Sequence, residues 1–227
     1  FIRFHPIINN ADDFESMYEI CRIRKTIGTN LKDNEEPLQE EFSKSCRKNI
    51  RQALGKGVSY KVIENPKDMH DFKTFYFSTM DRNEASDYYY FDDEYFNQCI
   101  ETLGEYVILV EAIFEEKPIA MGFYYIYDKT IHTHLSGTLS EYLYLSPAYI
   151  LRYGVTIWGK ENGYELIHHG GGRSNSATDS LYTFKKRFGS LEFDFAVGKR
   201  IWNEKIYEEL SKDKPETEFF PLYRSRD

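Results

Sequence analysis

The sequence predicts an α/β (α+β) fold with a mixed, mostly antiparallel sheet and helices on both of its faces. Three observations support this prediction. Residues 106–138 carry three successive strand patterns joined by links of hairpin length. A strand–helix–strand step follows over residues 131–169 and implies a parallel pair of strands. Two helical patterns, at 66–80 and 92–103, precede the three strands.

The remaining elements follow from local signals. The helix predicted at 38–54 has acidic side chains early and basic ones late, which complements the helix dipole, and Gly55 and Gly57 end it. Ser146 and Pro147 are suited to begin another helix as N-cap and first residue. The full prediction is strands 1–5 and 18–31, helix 38–54, strand 58–64, helices 66–80 and 92–103, strands 106–114, 119–127 and 131–138, helix 146–162, strand 164–169, helix 179–188, strand 191–200 and helix 203–212.

This order of elements matches the GNAT-type acyl-CoA N-acyltransferase fold. An element pattern predicts a fold class, whereas a function has to be argued from individual residues. The 227 residues suffice for one large domain or two small ones. The first residue, Phe1, lies inside a predicted strand, which suggests that the sequence is part of a longer protein.

Composition limits the classes of function. The net charge of −8 argues against a protein that coats nucleic acid through bulk charge. No apolar run approaches 18 residues, so no membrane span is expected. The three widely spaced cysteines form no CxxC pair and suit a reducing compartment. We therefore expect a cytoplasmic protein without a membrane span.

Four histidines fall near the ends of two predicted strands: His132, His134, His168 and His169. They lack the helical spacing typical of metal ligands, so no metal site is predicted. A polar lining of a cleft is the main interpretation, with His134 as the candidate proton acceptor. The sequence also lacks the Gly-x-Ser-x-Gly motif of covalent hydrolases, and no carboxylate pair suggests a glycosidase.

Two segments could bind an anion. The helix beginning at Ser146 follows a strand, and its N-terminal N–H groups favour negative charge, so Tyr144 and Ser146 are candidate substrate-binding residues. The segment has no glycine, which argues against coenzyme A binding in the usual manner. The glycines Gly171 and Gly172, with Arg173, could form an anion-binding nest. An ordinary capped helix and a flexible turn remain the alternatives.

The segment 179–187 carries the strongest chemical signal. Lys185, Lys186 and Arg187 place three cations on a short predicted helix, beside Phe184 and close to Tyr182. A ring next to a point charge suits a phosphate, or a carbonyl oxygen that gains charge during acyl transfer. The alternative is a solvated basic helix end.

Arg82, at the end of the helix predicted before the three strands, is a candidate clamp for a substrate phosphate. A charge that stabilises the C-terminal end of that helix is the alternative interpretation.

Several segments together resemble, in order and spacing, the Fem-type peptidoglycan-bridge aminoacyltransferases and their GNAT-like relatives. The basic stretch 42–53 resembles the helix that opens the second domain of that family. The segment around Phe184 and Lys185 is the most specific part of the resemblance. That segment spans 179–189, and the other segments are 119–122, 132–138, 145–151, 158–164 and 170–172.

The resemblance implies two tandem GNAT-like domains, of which this chain holds the second. Residues 1–36 then belong to the tail and connection of a preceding domain, 37–200 to the GNAT-like domain, and 201–227 to a C-terminal helix and tail. Phe184 and Lys185 match the site pair of the family. The predicted helix at 38–54 is too short for the long helical arm that some members carry.

The implied activity is transfer of an aminoacyl group from charged tRNA to an amine on a cell-wall (peptidoglycan) precursor. The amine attacks directly, without a covalent enzyme intermediate. Lys185 and the N–H groups of the glycine loop stabilise the oxyanion. No bound cofactor is expected, and the partners are the amine acceptor and tRNA. Two alternatives remain: an acyl-CoA-dependent N-acetyltransferase acting on another amine, and a catalytically inactive binding module.

Overall fold

The computed structural model describes residues 1–225; residues 226 and 227, which end the predicted segment 201–227, lie outside the described part. Within residues 1–225 the strands are β1 (Ile2–Arg3), β2 (Glu19–Asn30), β3 (Ser59–Glu64), β4 (Val107–Phe114), β5 (Lys117–Tyr127), β6 (Thr130–Thr138), β7 (Leu166–Gly171) and β8 (Leu191–Lys199). The helices are α1 (Pro37–Glu40), α2 (Lys44–Gly55), α3 (His70–Arg82), α4 (Asp93–Leu103), α5 (Pro147–Glu161), α6 (Ser180–Lys185) and α7 (Glu204–Ser211).

The chain divides into two compact units. Unit 1 comprises Phe1–Thr26, Gly171–Tyr182 and Glu192–Asp227, and unit 2 comprises Ile27–Gly170 and Thr183–Leu191. In unit 1, β1 pairs antiparallel with β8, and β8 neighbours β2. The division into residues 1–36, 37–200 and 201–227 that the resemblance implies stays a prediction.

The sheet of unit 2 has the strand order β7-β6-β5-β4-β3. Strands β3 to β6 pair antiparallel, whereas β6 and β7 pair in parallel. Strand β4 is buried on both faces, because Val107 and Leu109 join one apolar cluster while Ile108 and Val110 join another. The predicted fold class, a mixed and mostly antiparallel sheet covered by helices on both faces, is confirmed.

Different helices cover the two faces of this sheet. On the α2/α5 face, Ile50 and Val155 pack into the same cluster as Ile108. On the α3/α4 face, Phe72 and Phe96 pack with Leu109. The helices therefore reach the core through apolar stripes.

The helix predicted at 38–54 is in fact two helices, α1 and α2, separated by residues 41–43. Ser43 adopts an extended conformation and its hydroxyl accepts the N–H of Cys46, so it acts as the N-cap of α2. Glu41, which is 9% exposed, turns away from the helix, and its carboxylate accepts the backbone N–H of Ser190 at 2.6 Å. A tertiary contact thus interrupts a pattern that looks continuous in the sequence.

Three further boundaries differ from the prediction. The helix predicted at 66–80 begins only at His70. Strand β7 continues through Gly170 and Gly171, beyond the predicted end of the strand at 169. Helix α6 ends at Lys185, so the expected helix with three cations contains only one of them. Lys186 is exposed, and the chain beyond it forms a turn.

Candidate active site

Strands β6 and β7 run side by side only at their first residues. Their parallel pairs are Thr130–Leu166, Ile131–Ile167 and His132–His168. Beyond these three pairs the ladder between the two described strands ends, although both strands continue. We call the place where they separate the β6–β7 fork. A register shift in β6 leaves His134 as an extra residue beside it. Backbone groups released from a ladder can bind a ligand.

Lys185 lies at the β7 side of the fork. A Cβ added to Gly170 would lie 3.3 Å from its Nζ, so the ammonium group sits directly over this glycine. Gly170 has a φ of 72°, a conformation that side chains other than glycine rarely adopt. The sequence thus combines a glycine and a lysine, 15 positions apart, to place one cation against the backbone of β7.

Phe184 points to the α2/α5 face. Its ring centroid lies 5.5 Å from that of Tyr149 on α5 and 5.0 Å from that of Phe188. The guanidinium of Arg187 donates to the Tyr149 hydroxyl at 2.7 Å. The ring therefore fixes the end of α6 against α5. A catalytic role for Phe184 beyond this anchoring stays a prediction.

Residues 184–190, which we call the Phe–Lys turn, are held by bonds from several elements. The N–H of Ser43 donates to the carbonyl of Arg187 at 2.9 Å. The hydroxyl of Thr29 on β2 donates to the carbonyl of Phe188 at 2.5 Å. Both Ser43 and Thr29 lie more than 140 positions from the turn in sequence, so the turn is fixed by tertiary structure rather than by its own sequence.

A chain of polar groups crosses the interior beside the fork. Arg152 donates to the Thr133 hydroxyl at 3.0 Å, and this hydroxyl lies 3.4 Å from Nδ1 of His169. Nε2 of His169 lies 2.8 Å from the Thr29 hydroxyl. These four side chains are at most 8% exposed. Burial chiefly, and then the charges of Arg152 and Lys185, lower the pKa of His169 well below its ordinary value.

Sequence reasoning placed His169 in a polar lining but missed Thr29, Thr133 and Arg152. Thr133 lies between His132 and His134 on the same strand. A polar residue at a strand position whose pattern predicts burial is the signal that could have identified it. Arg152 looked like an ordinary helix position. Within residues 1–225 no carboxylate forms an ion pair with its guanidinium.

His134 lies on the α3/α4 face, opposite to the side on which Phe184 packs. Its ring contacts Phe123 and Tyr125, with centroids 5.0 and 4.9 Å away. Its Nε2 lies 2.6 Å from the hydroxyl of Tyr95. This geometry gives no support to the predicted role of His134 as proton acceptor, because its Nε2 atom is already hydrogen-bonded to Tyr95.

The stability of the fold should depend on pH through His134. Burial, followed by the charge of His132, lowers the pKa of His134 from 6.5 to about 4. Between these values the unfolded chain binds a proton that the folded chain does not, so the free energy of unfolding falls as the pH falls. Between pH 7 and pH 5 the loss is about 2 kcal/mol. Urea unfolding at pH 7 and pH 5 measures it, and His134→Gln, which can still bond Tyr95, should lose less. Equal losses would contradict the assignment.

Arg82 is already engaged by the protein. Its two terminal nitrogens donate to the carbonyl and hydroxyl of Thr138, at 3.2 and 3.0 Å, and to the Ser140 hydroxyl at 2.9 Å. These bonds tie the end of α3 to the end of β6. Arg82 as a whole is an exposed residue, and a contact with a substrate phosphate stays a prediction.

The start of α5 differs from the expected anion site. The helix does not follow β6 directly, because a 3₁₀ turn at Ser140–Leu145 intervenes. Ser146 has a φ of 54°, and its hydroxyl makes no capping bond. Pro147 has no N–H, and the N–H of Tyr149 donates to the carbonyl of Ser146. Tyr144 is 64% exposed, and its carbonyl accepts from Lys56 at 3.4 Å. This helix start therefore offers few N–H groups to a phosphate.

The predicted anion nest in unit 1 is filled by the chain's own carboxylate. Asp179 accepts the backbone N–H groups of Arg173 and Ser174, each at 3.0 Å, and that of Tyr182 at 2.9 Å. The last bond is the largest of the effects that lower the pKa of Asp179 to about 2. The N–H group of Arg173 is therefore already bonded within the loop, and the expectation that N–H groups of this loop stabilise an oxyanion stays a prediction. The sequence carries a signal for this arrangement, because Asp179 directly precedes the helix that begins at Ser180, and aspartate is a typical N-cap residue.

Other groups keep the rest of this loop in place. Arg24 donates to the carbonyls of Gly172 and Arg173, at 2.6 and 2.9 Å. A Cβ on Gly171 would lie 2.8 Å from the carbonyl oxygen of Lys25, so the loop packs directly on β2. The Tyr182 hydroxyl donates to Glu192 at 2.9 Å. Substrate binding by Gly171, Gly172, Arg173, Tyr182 and Lys186 stays a prediction.

No group of three or more His, Cys, Asp or Glu side chains among the described residues could hold a metal ion. Within the same residues, every helix is too short or too polar to cross a membrane.

The sequence matches a known family model. The model of the acetyltransferase (GNAT) domain aligns with residues 41–186, which is more than half of the chain. The chain belongs to this GNAT family. The match covers the fork and reaches Lys185 at its end. No curated protein sequence matches the chain.

Solved structures show the same fold at low sequence identity. The GNAT chain superposes on the crystal structure of FemX with a TM-score of 0.68 and 13% identity, over 90% of this chain and 72% of that one. The C-terminal domain of a putative lysylphosphatidylglycerol synthetase from Agrobacterium fabrum gives a TM-score of 0.61 and 13% identity, with 82% and 63% covered. L-PGS from Bacillus licheniformis gives 0.55 and 14%, with 87% and 66% covered. The chain thus spans less than two thirds of the last two structures.

Proposed function

We propose that this GNAT chain transfers an aminoacyl group from charged tRNA to an amine on a peptidoglycan precursor. The observation that carries the proposal is the position of Lys185. Its ammonium group is held over Gly170 at the fork by a turn that is bonded to the rest of unit 2. A fixed cation next to open strand ends suits the stabilisation of an oxyanion.

The reaction follows from this placement. A neutral amine attacks the ester carbonyl of the donor, the new C–N bond forms, and the carbonyl oxygen gains negative charge beside Lys185. The C–O bond to the tRNA ribose then breaks. The proton lost by the amine passes to the departing ribose oxygen, so the donor itself supplies the proton acceptor. No covalent enzyme intermediate is needed.

The choice of donor rests on the start of α5. GNAT enzymes that use coenzyme A are expected to bind its pyrophosphate at the helix after the fork strand, where free N–H groups and glycines allow close approach. Here Pro147 has no N–H group, and the N–H group of Tyr149 already donates to the carbonyl of Ser146. An aminoacyl ester has no pyrophosphate next to its acyl group, so it does not depend on this cradle. The acyl-CoA donor remains the second candidate because the family model is that of an acetyltransferase domain.

The acceptor and the setting come from the likeness to Fem-type proteins. FemX is the structure with the highest TM-score among those compared above, and lysylphosphatidylglycerol synthetases share the fold. In the proposal the chain acts in the cytoplasm, as the second of two tandem GNAT-like domains, with no bound cofactor. The preceding domain would contribute part of the acceptor site.

Thermal unfolding in the presence of candidate ligands tests the proposal. A ligand at 100 times its Kd stabilises the folded chain by about 2.7 kcal/mol. We expect a higher Tm with a UDP-linked muramyl peptide and with a non-hydrolysable aminoacyl-RNA analogue, and no change with coenzyme A. Stabilisation by coenzyme A alone would favour the acetyltransferase. A Tm that responds to none of them would contradict both enzymes and leave the inactive binding module.

A further inference from the structure

The direction of the hydrogen bonds beside the fork follows from proton counting. Thr29 has one hydroxyl proton and lies 2.5 Å from the carbonyl oxygen of Phe188, which can only accept, so that proton points to Phe188. The Nε2 atom of His169, 2.8 Å from the same hydroxyl, must then be the donor. The neutral ring consequently carries its proton on Nε2 and leaves Nδ1 as an acceptor.

The other side of the ring agrees with this tautomer. Arg152 can only donate, so it gives a hydrogen bond to the Thr133 oxygen at 3.0 Å. The Thr133 proton then points to Nδ1 of His169, 3.4 Å away. One directed chain therefore runs from Arg152 on α5, through Thr133, His169 and Thr29, to the carbonyl of Phe188.

We propose that His169 is a positioning residue for acyl transfer: as the Nε2–H tautomer it orients Thr29, and Thr29 fixes the Phe–Lys turn that carries Lys185. This inference rests on the role proposed for Lys185. The link is short, because the N–H of Phe188 also donates to the carbonyl of Lys185 at 3.0 Å. A displaced Phe188 carbonyl would therefore move Lys185 with it.

Electrostatics keep the ring in the required form. A second proton on His169 would occupy Nδ1, the atom that accepts from Thr133. Burial chiefly, and then the positive charges of Arg152 and Lys185, oppose this second proton. Burial and these two charges thus maintain the ring as a neutral hydrogen-bond donor toward Thr29.

Two substitutions separate the two nitrogens of the ring. In His169→Gln, the side-chain amide reaches about as far as Nε2 and can still donate to Thr29. In His169→Asn, the amide reaches only about as far as Nδ1, so the contact with Thr29 is lost. We expect His169→Gln to keep the NMR amide resonances of Phe184 and Lys185 near those of the wild type. We expect His169→Asn to shift them and to lower kcat by about tenfold to a hundredfold, with little change in KM.

A second pair serves if the histidine variants do not fold. Thr29→Val removes the hydroxyl at nearly constant volume, and Thr29→Ser keeps it. Thr29→Val should reproduce the shifts and the loss of kcat, and Thr29→Ser should not.

Three results decide between the possibilities. A ¹⁵N spectrum of the wild-type protein at pH 7 should show His169 protonated on Nε2 only, and a proton on Nδ1 would overturn the inference. Unmoved resonances of Phe184 and Lys185 in both His169→Asn and Thr29→Val would overturn it as well. Full turnover by a Lys185→Ala variant would instead overturn the proposed function, and it is measured separately from the spectra.

Discussion

Replacing Lys185 with alanine lowers the rate of acyl transfer by about a hundredfold or more, which corresponds to roughly 3–4 kcal/mol of lost oxyanion stabilisation. The physical reason is that the ammonium group is held in place before the reaction begins, over Gly170 at the β6–β7 fork. Water that replaces it has to reorient as charge develops on the carbonyl oxygen. Steady-state kcat for transfer to an amine measures the effect.

The substitution should leave the fold intact. Lys185 is the last residue of α6, and the bonds of Phe188 and Arg187 hold the Phe–Lys turn. Lys129→Ala is the matched control, since it removes one cation from the exposed turn between β5 and β6. A Lys185→Ala variant that transfers as fast as the Lys129→Ala variant would remove Lys185 from the mechanism.

Gly189→Ala should be the most damaging of the small substitutions in the Phe–Lys turn. A Cβ at this position would lie 2.1 Å from the carbonyl oxygen of Gly28 and 2.5 Å from its carbon. Both are backbone atoms of β2, so no side-chain rotation relieves the contact. Overpacking of this kind costs about 1–3 kcal/mol, and relief by movement of the turn would displace Lys185 as well. We expect a lower urea midpoint together with a lower kcat in the fraction that remains folded.

Gly55→Ala provides the comparison for Gly189→Ala. Gly55 is the last residue of α2, and a Cβ there meets nothing within 4 Å. Alanine favours a helix over glycine by up to about 1 kcal/mol, so this variant should be as stable as the wild type or slightly more stable. If Gly189→Ala matched Gly55→Ala in both midpoint and kcat, the close seating of the turn on β2 would be contradicted.

The sequence was sufficient for those parts of the fold that depend on local periodicity. Strand β4 is apolar on successive positions because both of its faces are buried, and hairpin-length links follow β4 and β5. Asp92 and Asn203 cap their helices as their residue types favour. Such signals lie within a few residues of each other and can be read without a structure.

What the sequence did not show depends on distant partners. Ser43 interrupts a helical pattern partly because Glu41 bonds Ser190, which lies 149 positions away. The sequence singles out the Phe184–Lys185 pair and His169, but not Thr29, which bonds the turn at Phe188. Thr29 and His169 are separated by 140 positions, and only the pairing of strands brings them together. The bonds of Asp179, by contrast, are local, since they join N–H groups within six residues of it. The glycines before it nevertheless favour the interpretation that the loop binds an external anion.

The most direct test of aminoacyl transfer assisted by Lys185 follows a labelled acyl group from donor to amine. The wild-type chain and its Lys185→Ala variant are each given a ¹⁴C-aminoacyl-tRNA or ¹⁴C-acetyl-CoA, together with a UDP-linked muramyl peptide. We expect the label to move from the tRNA to the peptide amine and not from acetyl-CoA. We expect the Lys185→Ala variant to transfer it at least about a hundredfold more slowly. Transfer from neither donor, or transfer at the same rate by both proteins, would contradict these expectations.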